Sequence, residues 1–384
     1  MKLKSIASWT LLSSLLPLTA LAQPTATLGV WDRNLLDRCG TPLTLRGVEQ
    51  NQRVTSRGGT IINGSWNAVV DAIDAARSNQ VRIIPDDVTV AQTRAMVERA
   101  VSRNLVVEIH ASASYFAASD VQAMVAANKT HVILGIFGEP AYDDRTLWQQ
   151  ETLAALQSIR ALGYDEPVQI MANNFGRDLP SVLQYGQTLS DADPLHKVIM
   201  GWQAYWGNSN GYQNYYGLTF VQAMAQIVSK NFPVQVGITY NADSPTDPIN
   251  YSLLMSLTRS YGISTHFWDY YSRNALDQNL LVTSDASGAN WAMSTLGQAV
   301  LVSNTNSFWN QNAARPCTGV AAPCYANCDG SATPPVLTAN DFQCFMNKYV
   351  AGDVGANCDA STVAPVLNAN DFQCFLGRFA QGCS

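Results

Sequence analysis

An alternation of short apolar segments with longer helical segments runs from Leu43 to Asn304 and constrains the fold of this chain most strongly. Apolar and β-branched residues mark eight predicted strands, which are 43–49, 81–85, 105–111, 131–139, 168–173, 198–205, 234–240 and 263–270. Helical segments between them, such as 66–78, 90–103 and 146–162, repeat apolar residues at three- and four-residue spacing.

Eight βα units over about 260 residues predict an α/β fold, a closed (β/α)8 TIM barrel, whose usual length is about 250 residues. The alternative is an open doubly wound sheet. That fold would call for a glycine-rich phosphate turn after an early strand, and Gly58-Gly59 is not followed by the required spacing. The closed barrel is therefore the favoured fold.

Residues 1–22 have the pattern of a signal peptide. Lys2 and Lys4 precede an apolar run that ends in Ala20-Leu21-Ala22, a small-x-small cleavage pattern. A membrane anchor, the alternative, would need a longer apolar run and a stop-transfer flank. We therefore expect a secreted, extracellular protein with no membrane span.

The charge balance argues against a nucleic-acid partner. Without Lys2 and Lys4, 21 basic residues face 29 acidic ones, a formal charge of −8. Only 14% of residues are charged, whereas the chain has 9 tryptophans and 15 tyrosines. This composition favours neutral, hydroxyl-rich ligands that contact aromatic faces.

A tandem repeat forms the C-terminal part of the chain. We expect a barrel domain over residues 23–312 and a second, mainly helical module over 313–384, in which 327–352 recurs as 357–382. Seven of the eight cysteines follow residue 316, and a small module with little core is typically crosslinked. Cys39 stands apart, either free or joined to a distant segment, and the spacing alone does not fix the pairing.

Polar and aromatic side chains follow the predicted strands at their carboxyl ends, where TIM barrels carry their functional groups. They are Glu49, Arg82, His110, Glu139, Asn173, Asn174, Gln203, Tyr205, Tyr240 and Trp268. A mixed set of this kind is typical of a sugar-binding cleft.

These segments resemble glycoside hydrolase family 5, the cellulase and mannanase family, over roughly residues 27–304. The resemblance lies in 37–49, whose Arg-Gly-Val-Glu is similar to the family's first strand, and in 79–83, 108–110, 135–140 and 203–205, together with Trp268. It implies a hydrolase of β-linked polysaccharide, β-glucan or β-mannan, with no cofactor in the barrel.

The resemblance also implies roles for individual residues. Glu139, in the turn Gly138-Glu139-Pro140, would be the general acid/base. The residues that would bind substrate are Arg82, His110, Gln203, Tyr205, Trp206, Tyr240 and Trp268.

Three positions depart from the family pattern. Gly138 replaces an asparagine, Gln203 replaces a histidine, and Ile238 replaces the nucleophilic glutamate of the seventh strand. Because glycoside hydrolysis uses two carboxyl groups, Asp243 or Glu49 would have to supply the second one.

Two other functions remain open. The chain is alternatively a catalytically inactive carbohydrate-binding or scaffold protein that has kept the cleft. A metal-dependent barrel hydrolase is less favoured, because the four histidines show no paired ligand spacing.

The C-terminal repeat resembles a dockerin module, which implies a protein or cell-surface partner. Asp329 and Asp341 in the first copy, and Asp359 and Asp371 in the second, would then supply oxygen ligands for calcium. Their spacing departs from the 12-residue calcium loop, and Ala360 stands at the turn glycine. A metal-free module held by disulfides is the alternative.

Overall fold

A closed barrel of eight parallel strands forms the body of the protein. The computed structural model describes residues 27–51, 66–85, 88–136, 140–205, 207, 217–239, 248–270, 282–284, 291–318, 325–331, 337–359, 361 and 364–381. The barrel strands are β4 (Arg46–Asn51), β5 (Gln80–Ile84), β6 (Val106–Ala111), β7 (Val132–Ile136), β8 (Val168–Met171), β9 (Val198–Gln203), β10 (Val234–Ile238) and β11 (Ser264–Phe267). Each pairs with the next, and β11 closes on β4. The predicted TIM barrel is confirmed.

Helices follow the strands and cover the outside of the barrel. They are α1 (Trp66–Ala75), α2 (Val90–Ser102), α3 (Ala113–Phe116), α4 (Ser119–Asn128), α5 (Arg145–Ala161), α6 (Leu179–Ala192), α7 (Phe220–Val228), α8 (Tyr251–Ser260), α9 (Thr295–Gly297) and α10 (Phe308–Gln311). Capping boxes begin α2, at Thr89 and Gln92, and α7, at Thr219 and Gln222. The main apolar core lies between these helices and the outward side chains of the strands.

A small antiparallel sheet of β1 (Gly29–Trp31), β2 (Asn34–Leu36) and β3 (Pro42–Leu43) precedes the barrel. Leu35, Leu43 and Leu45 pack against Val106 and Ile199 in a separate apolar cluster, which closes the amino-terminal end of the barrel. The predicted first strand, 43–49, is thus divided: its start belongs to this sheet, and the barrel strand begins only at Arg46.

The segment that leaves the barrel is fastened to the same end. Cys317 forms a disulfide with Cys39, 278 residues earlier, so Cys39 is the tethering residue. Arg315 pairs with Asp74 at 2.6 Å, and the Asn79 side chain donates to the Ala314 carbonyl at 2.7 Å.

Helices α11 (Ala339–Val350) and α12 (Ala369–Gln381) form the C-terminal module, one in each repeat. Disulfides join Cys328 to Cys344 and Cys358 to Cys374, each across 16 residues. The rings of Phe345 and Phe375 stack at 4.1 Å between centroids in the small core of the module. The predicted helical, disulfide-crosslinked tail is confirmed; Cys324 and Cys383 lie outside the described residues.

The signal-peptide prediction, residues 1–22, also falls outside the described part of the chain. Within the described part, no helix combines the length and the apolar character that crossing a bilayer requires. A two-stranded ribbon, β12 (Val282–Ser284) and β13 (Trp291–Met293), completes the set of described strands.

Candidate functional site

The interior of this barrel is polar. TIM barrels usually fill this space with layers of branched apolar side chains. Here the inward positions carry polar and charged side chains that are at most 5% exposed, namely Glu49, Gln80, Arg82, Glu108, His110, Gln169, Gln203, Gln235 and His266. A buried set of this kind must satisfy its own hydrogen bonds and charges.

Glycines on the inner face make room for these side chains. A Cβ on Gly135 would collide with the ring of His110, and one on Gly47 would collide with the Gln80 amide. A Cβ on Gly237 would come within 2.9 Å of His266. The long polar side chains of β5, β6 and β11 therefore lie across the backbones of other strands.

Arg82 lies at the centre of the charged part of this interior. Its guanidinium is 3.4 Å from Glu49 on one side and 3.2 Å from Glu108 on the other. The same group contacts the rings of His110 at 2.8 Å and His266 at 2.5 Å. Strands β4, β5, β6 and β11 thereby meet at one buried cation.

The charge states follow from this packing. Burial raises the pKa of Glu108, but Arg82 and then His110 more than offset that effect, so the net pKa is lowered and the carboxylate is ionised. Burial, followed by the charge of Arg82, lowers the pKa of His110. Burial, followed by the effects of Arg82 and then His110, lowers the pKa of His266 well below its ordinary value. Both histidines are therefore neutral beside a cation and an anion.

A ring of hydrogen bonds links four strands beneath this group. Gln235 donates to Gln80 at 2.7 Å, and Gln80 donates to Glu108 at 2.8 Å. Gln169 donates to Gln235, and Nε2 of His110 lies 2.6 Å from the Gln169 oxygen and 2.9 Å from Glu108. The ring fixes the orientation of both Glu108 and His110, which in turn contact Arg82.

Three of the substrate-binding candidates lie in this interior or directly above it. Arg82 and His110 belong to the network, and Gln203, at the end of β9, donates its backbone N–H to the Gly176 carbonyl at 2.8 Å. Tyr205 is half-buried against the main core. Trp268 follows β11, is half-buried, and donates its N–H to the Ile238 carbonyl at 2.8 Å.

Sequence reasoning missed Glu108 and His266 as members of this group. Both stand at alternate positions along their strands, with Glu108 two residues before His110 and His266 two residues before Trp268. Inward-facing polar residues at a period of two were the signal that could have identified them.

Ile238 lies on the other side of its strand. Gly237, its predecessor, faces the interior beside His266 and Gln203, whereas Ile238 is 2% exposed within the apolar core between strands and helices. Its side chain is therefore not part of the barrel interior.

Four candidates lie outside the described residues: Glu139, Trp206, Tyr240 and Asp243. The residue after Glu139 in the chain, Pro140, accepts the Phe175 N–H at its carbonyl at 2.8 Å. Two residues further on, the backbone N–H of Tyr142 donates to the Asn173 side chain at 2.9 Å.

The acidic residues of the tail form one pair in each repeat. Oδ1 of the buried Asp341 accepts the Asp329 N–H at 3.2 Å, and Asp371 accepts from Asp359 at the same distance. Burial raises the pKa of Asp341, but N–H donors, Thr338 first, and a side-chain hydrogen bond with Asp329 lower it overall.

The two copies differ at one possible oxygen ligand. Asn327 Oδ1 is buried without a hydrogen-bond partner among the described residues, whereas Asn357 Oδ1 accepts the Ser361 N–H at 3.0 Å. A buried amide oxygen that accepts no hydrogen bond fits a hard cation such as Ca²⁺, so the first copy suits such an ion better.

Solved structures of similar fold include glycan-degrading enzymes. The catalytic domain of a mannanase from Streptomyces sp. SirexAA-E superposes with a TM-score of 0.61 at 18% identity, over 82% of this chain and 98% of that one. A β-mannanase from Streptomyces thermolilacinus, solved with mannohexaose, gives 0.62 at 17% identity over 74% and 95%. An endoglucanase catalytic domain from Thermobifida fusca, solved with cellotetraose, gives 0.52 at 16% over 71% and 95%.

At these identities the similarity shows the fold. No protein-family model matches the sequence. No curated protein matches it either.

Proposed function

We propose that this protein is a secreted glycoside hydrolase that acts on β-linked polysaccharide, β-glucan or β-mannan. The observation that carries the proposal is the buried network around Arg82, which joins Glu49, Glu108 and two neutral histidines inside a closed barrel. Such a network costs desolvation energy and is typical of a functional site. The mannohexaose and cellotetraose bound to proteins of similar fold support a β-glycan ligand.

Glu139 is the proposed general acid/base, and Glu49 the proposed second carboxyl group. Glu49 stands beside Arg82 in the strand register and points to its guanidinium, which compensates the negative charge. In this chemistry one carboxyl protonates the leaving oxygen while the other attacks the sugar or holds the attacking water. Asp243 is the second candidate for that role.

The proposed sugar-binding residues that the structure describes lie in the barrel interior or at its carboxyl end. Arg82, which also contacts His110, holds Glu49 in place, while Gln203, Tyr205 and Trp268 lie at or just after the carboxyl ends of their strands. Trp206 and Tyr240 complete the proposed cleft.

A second function is favoured by the orientation of Ile238. Since the seventh barrel strand carries no carboxylate at this position and the side chain lies in the outer core, a protein that binds β-glycan without turnover fits the same cleft. Hydrolysis and binding assays distinguish these two functions.

The test measures reducing ends released from β-glucans and β-mannans by wild type, Glu139→Gln, Glu49→Gln and Asp243→Asn. We expect Glu139→Gln and Glu49→Gln to abolish release, whereas Glu98→Gln, on the exposed face of α2, should not affect it. Saturable binding without release by the wild type would favour the binding protein. If the wild type neither releases reducing ends nor binds the polysaccharides, both functions are refuted.

For the tail, we propose a calcium site in the first repeat and attachment to a protein or cell-surface partner. Asn327, Asp329 and Asp341 would hold the ion. Adding Ca²⁺ to the chelated full-length chain should raise the melting temperature of the tail, and Asp329→Asn should reduce that rise more than Asp359→Asn. If EDTA leaves the melting temperature of the tail unchanged and only a reductant lowers it, the metal-free module is favoured.

A further inference from the structure

Neutral His110 carries one ring proton, on either Nδ1 or Nε2. Nε2 lies 2.6 Å from the Gln169 side-chain oxygen and 2.9 Å from a carboxylate oxygen of Glu108, and both oxygens accept hydrogen bonds. Nδ1 lies 2.8 Å from the guanidinium of Arg82, which can only donate. The proton therefore belongs on Nε2, and the lone pair of Nδ1 accepts from Arg82.

The charge of Glu108 sets the direction of the glutamine chain. A glutamine offers one amide oxygen and one NH2 group, so a chain of three glutamines can run in either of two directions. Because the ionised carboxylate of Glu108 only accepts, Gln80 must turn its NH2 group towards it. The Gln80 oxygen then accepts from Gln235, and the Gln235 oxygen accepts from Gln169. The Gln169 oxygen is left for the Nε2–H of His110.

His266 approaches the same guanidinium with its other ring nitrogen. Its Nε2 lies 2.5 Å from Arg82, so this nitrogen holds the lone pair and the proton belongs on Nδ1. Nδ1 is buried and has no hydrogen-bond partner among the described residues. The other tautomer would direct an N–H against a cation that has no lone pair to accept it. His110 and His266 therefore carry their protons on opposite nitrogens.

The other groups around His110 leave this choice to Glu108. The charged and titratable groups nearest to this pair are Arg82 on β5 and, beyond it, Glu49 on β4 and His266 on β11. Strand β7 contributes Gly135, which makes room for the ring, and β8 and β10 contribute glutamine amides. Helix α2 packs against the outside of β6 with Met96, Val97 and Ala100 among its buried residues.

We propose that Glu108 is a positioning residue, which fixes the Nε2–H tautomer of His110 both directly and through the chain of three glutamines. In this tautomer His110 accepts from Arg82 and keeps the guanidinium directed at Glu49, the proposed second carboxyl group. The effect on turnover rests on the proposed function, whereas the tautomer does not.

NMR of the ¹⁵N-labelled histidine rings tests the assignment, because the chemical shifts of the two ring nitrogens distinguish the tautomers. The full-length chain has four histidines, and the variants His131→Gln and His196→Gln identify the two signals that come from outside the barrel interior. At neutral pH we expect one interior histidine in each tautomer, each favoured about tenfold or more, since a hydrogen bond to a charged group sets the preference.

Glu108→Gln keeps the size of the side chain and removes the charge that orders the chain. The Nε2–H form of His110 should fall to within about threefold of the Nδ1–H form, and kcat/KM on β-glucan or β-mannan should fall about tenfold or more. Glu108→Asp keeps the carboxylate and should retain the Nε2–H majority. Glu166→Gln is the matched control, because that carboxyl is 2% exposed but precedes β8 outside the network, so both tautomers should stay unchanged.

Either of two results would overturn the positioning role. One is a wild type in which both interior histidines share a tautomer, a measurement that does not depend on whether the Glu108 variants fold. The other is an unchanged tautomer in Glu108→Gln. Opposite tautomers in a wild type that neither binds nor cleaves β-glycans would refute the proposed function and leave the assignment of Glu108 intact.

Discussion

Arg82 neutralises two carboxylates inside the barrel and is 1% exposed. Removing one partner from a buried ionic group leaves the others desolvated and uncompensated. We therefore expect Arg82→Met to lower the free energy of unfolding by about 3–5 kcal/mol, as measured by urea denaturation. Arg99→Met removes a surface ion pair with Asp71, so the urea midpoint of this variant should stay close to that of the wild type. Equal shifts in both variants would contradict the role of Arg82.

Ile238 offers a second test. Its substitutions distinguish a side chain that reaches the proposed cleft from one that lies in the apolar core. Ile238→Glu would place a carboxylate in the apolar layer and should destabilise the fold by more than about 3 kcal/mol. Ile238→Met conserves volume and apolar character and should cost less than about 1.5 kcal/mol. The measurements are urea unfolding and reducing-end release. Wild-type stability together with increased hydrolysis in Ile238→Glu would mean that the side chain reaches the cleft.

The sequence predicted part of this arrangement. Strand ends placed Arg82, His110 and Glu49 near one another, because parallel strands in a barrel end at the same rim. It did not predict the orientation of Ile238, since alternation across a strand end depends on the register of the last pairs. Asn174 and Gly176, which adopt left-handed backbone conformations, are a turn signal, but nothing in their types indicates that Phe175 between them does the same.

The packing of β6 against β7 requires a glycine on β7. His110 on β6 occupies the space where a side chain on Gly135 of β7 would lie. Gly135→Ala should therefore displace His110 from Arg82 and destabilise the protein by about 1–3 kcal/mol or more. Gly29→Ala, whose Cβ would meet Leu36 at an ordinary 3.6 Å, is the matched control. Thermal unfolding measures both, and a Gly135→Ala variant as stable as the control would refute this packing.

The strands and helices themselves were predictable because their apolar periods are strong. Predicted 146–162 became α5, Arg145–Ala161, and predicted 263–270 shortened to β11, Ser264–Phe267. The division of 43–49 between two sheets was not predictable, because Leu43 and Leu45 are as apolar as the strand that follows. Only their packing against Val106 and Ile199 assigns them to the closed end of the barrel.

At the scale of the whole molecule, one end of the barrel carries the proposed chemistry and the other carries the attachment of the tail. Three contacts of this attachment lie at the amino-terminal end: the Cys39–Cys317 disulfide, the Asp74–Arg315 ion pair and the hydrogen bond from Asn79. The segment that leads to the tail is thus fastened at the end of the barrel opposite to the proposed cleft.

His131 makes this attachment sensitive to acid. Its Nε2 lies 2.7 Å from the Asn104 oxygen, and the Asn104 amide donates to the Pro316 carbonyl at 2.7 Å. Burial, and then the charge of Arg38, lowers the pKa of His131 to about 4. Because the unfolded chain takes up this proton near pH 6.5 and the folded chain only near 4, the contribution of His131 to stability falls as pH falls through that window.

We therefore expect the wild-type Tm to decrease more steeply between pH 6.5 and 4 than the Tm of His131→Gln, whose amide retains a donor for Asn104 but does not titrate. Thermal unfolding in steps of pH measures the difference between the two curves, in which the carboxylates common to both cancel. The curves should coincide in shape above pH 7, where His131 is neutral in both states. Parallel curves down to pH 4 would show that His131 is protonated as easily in the folded chain as in the unfolded one.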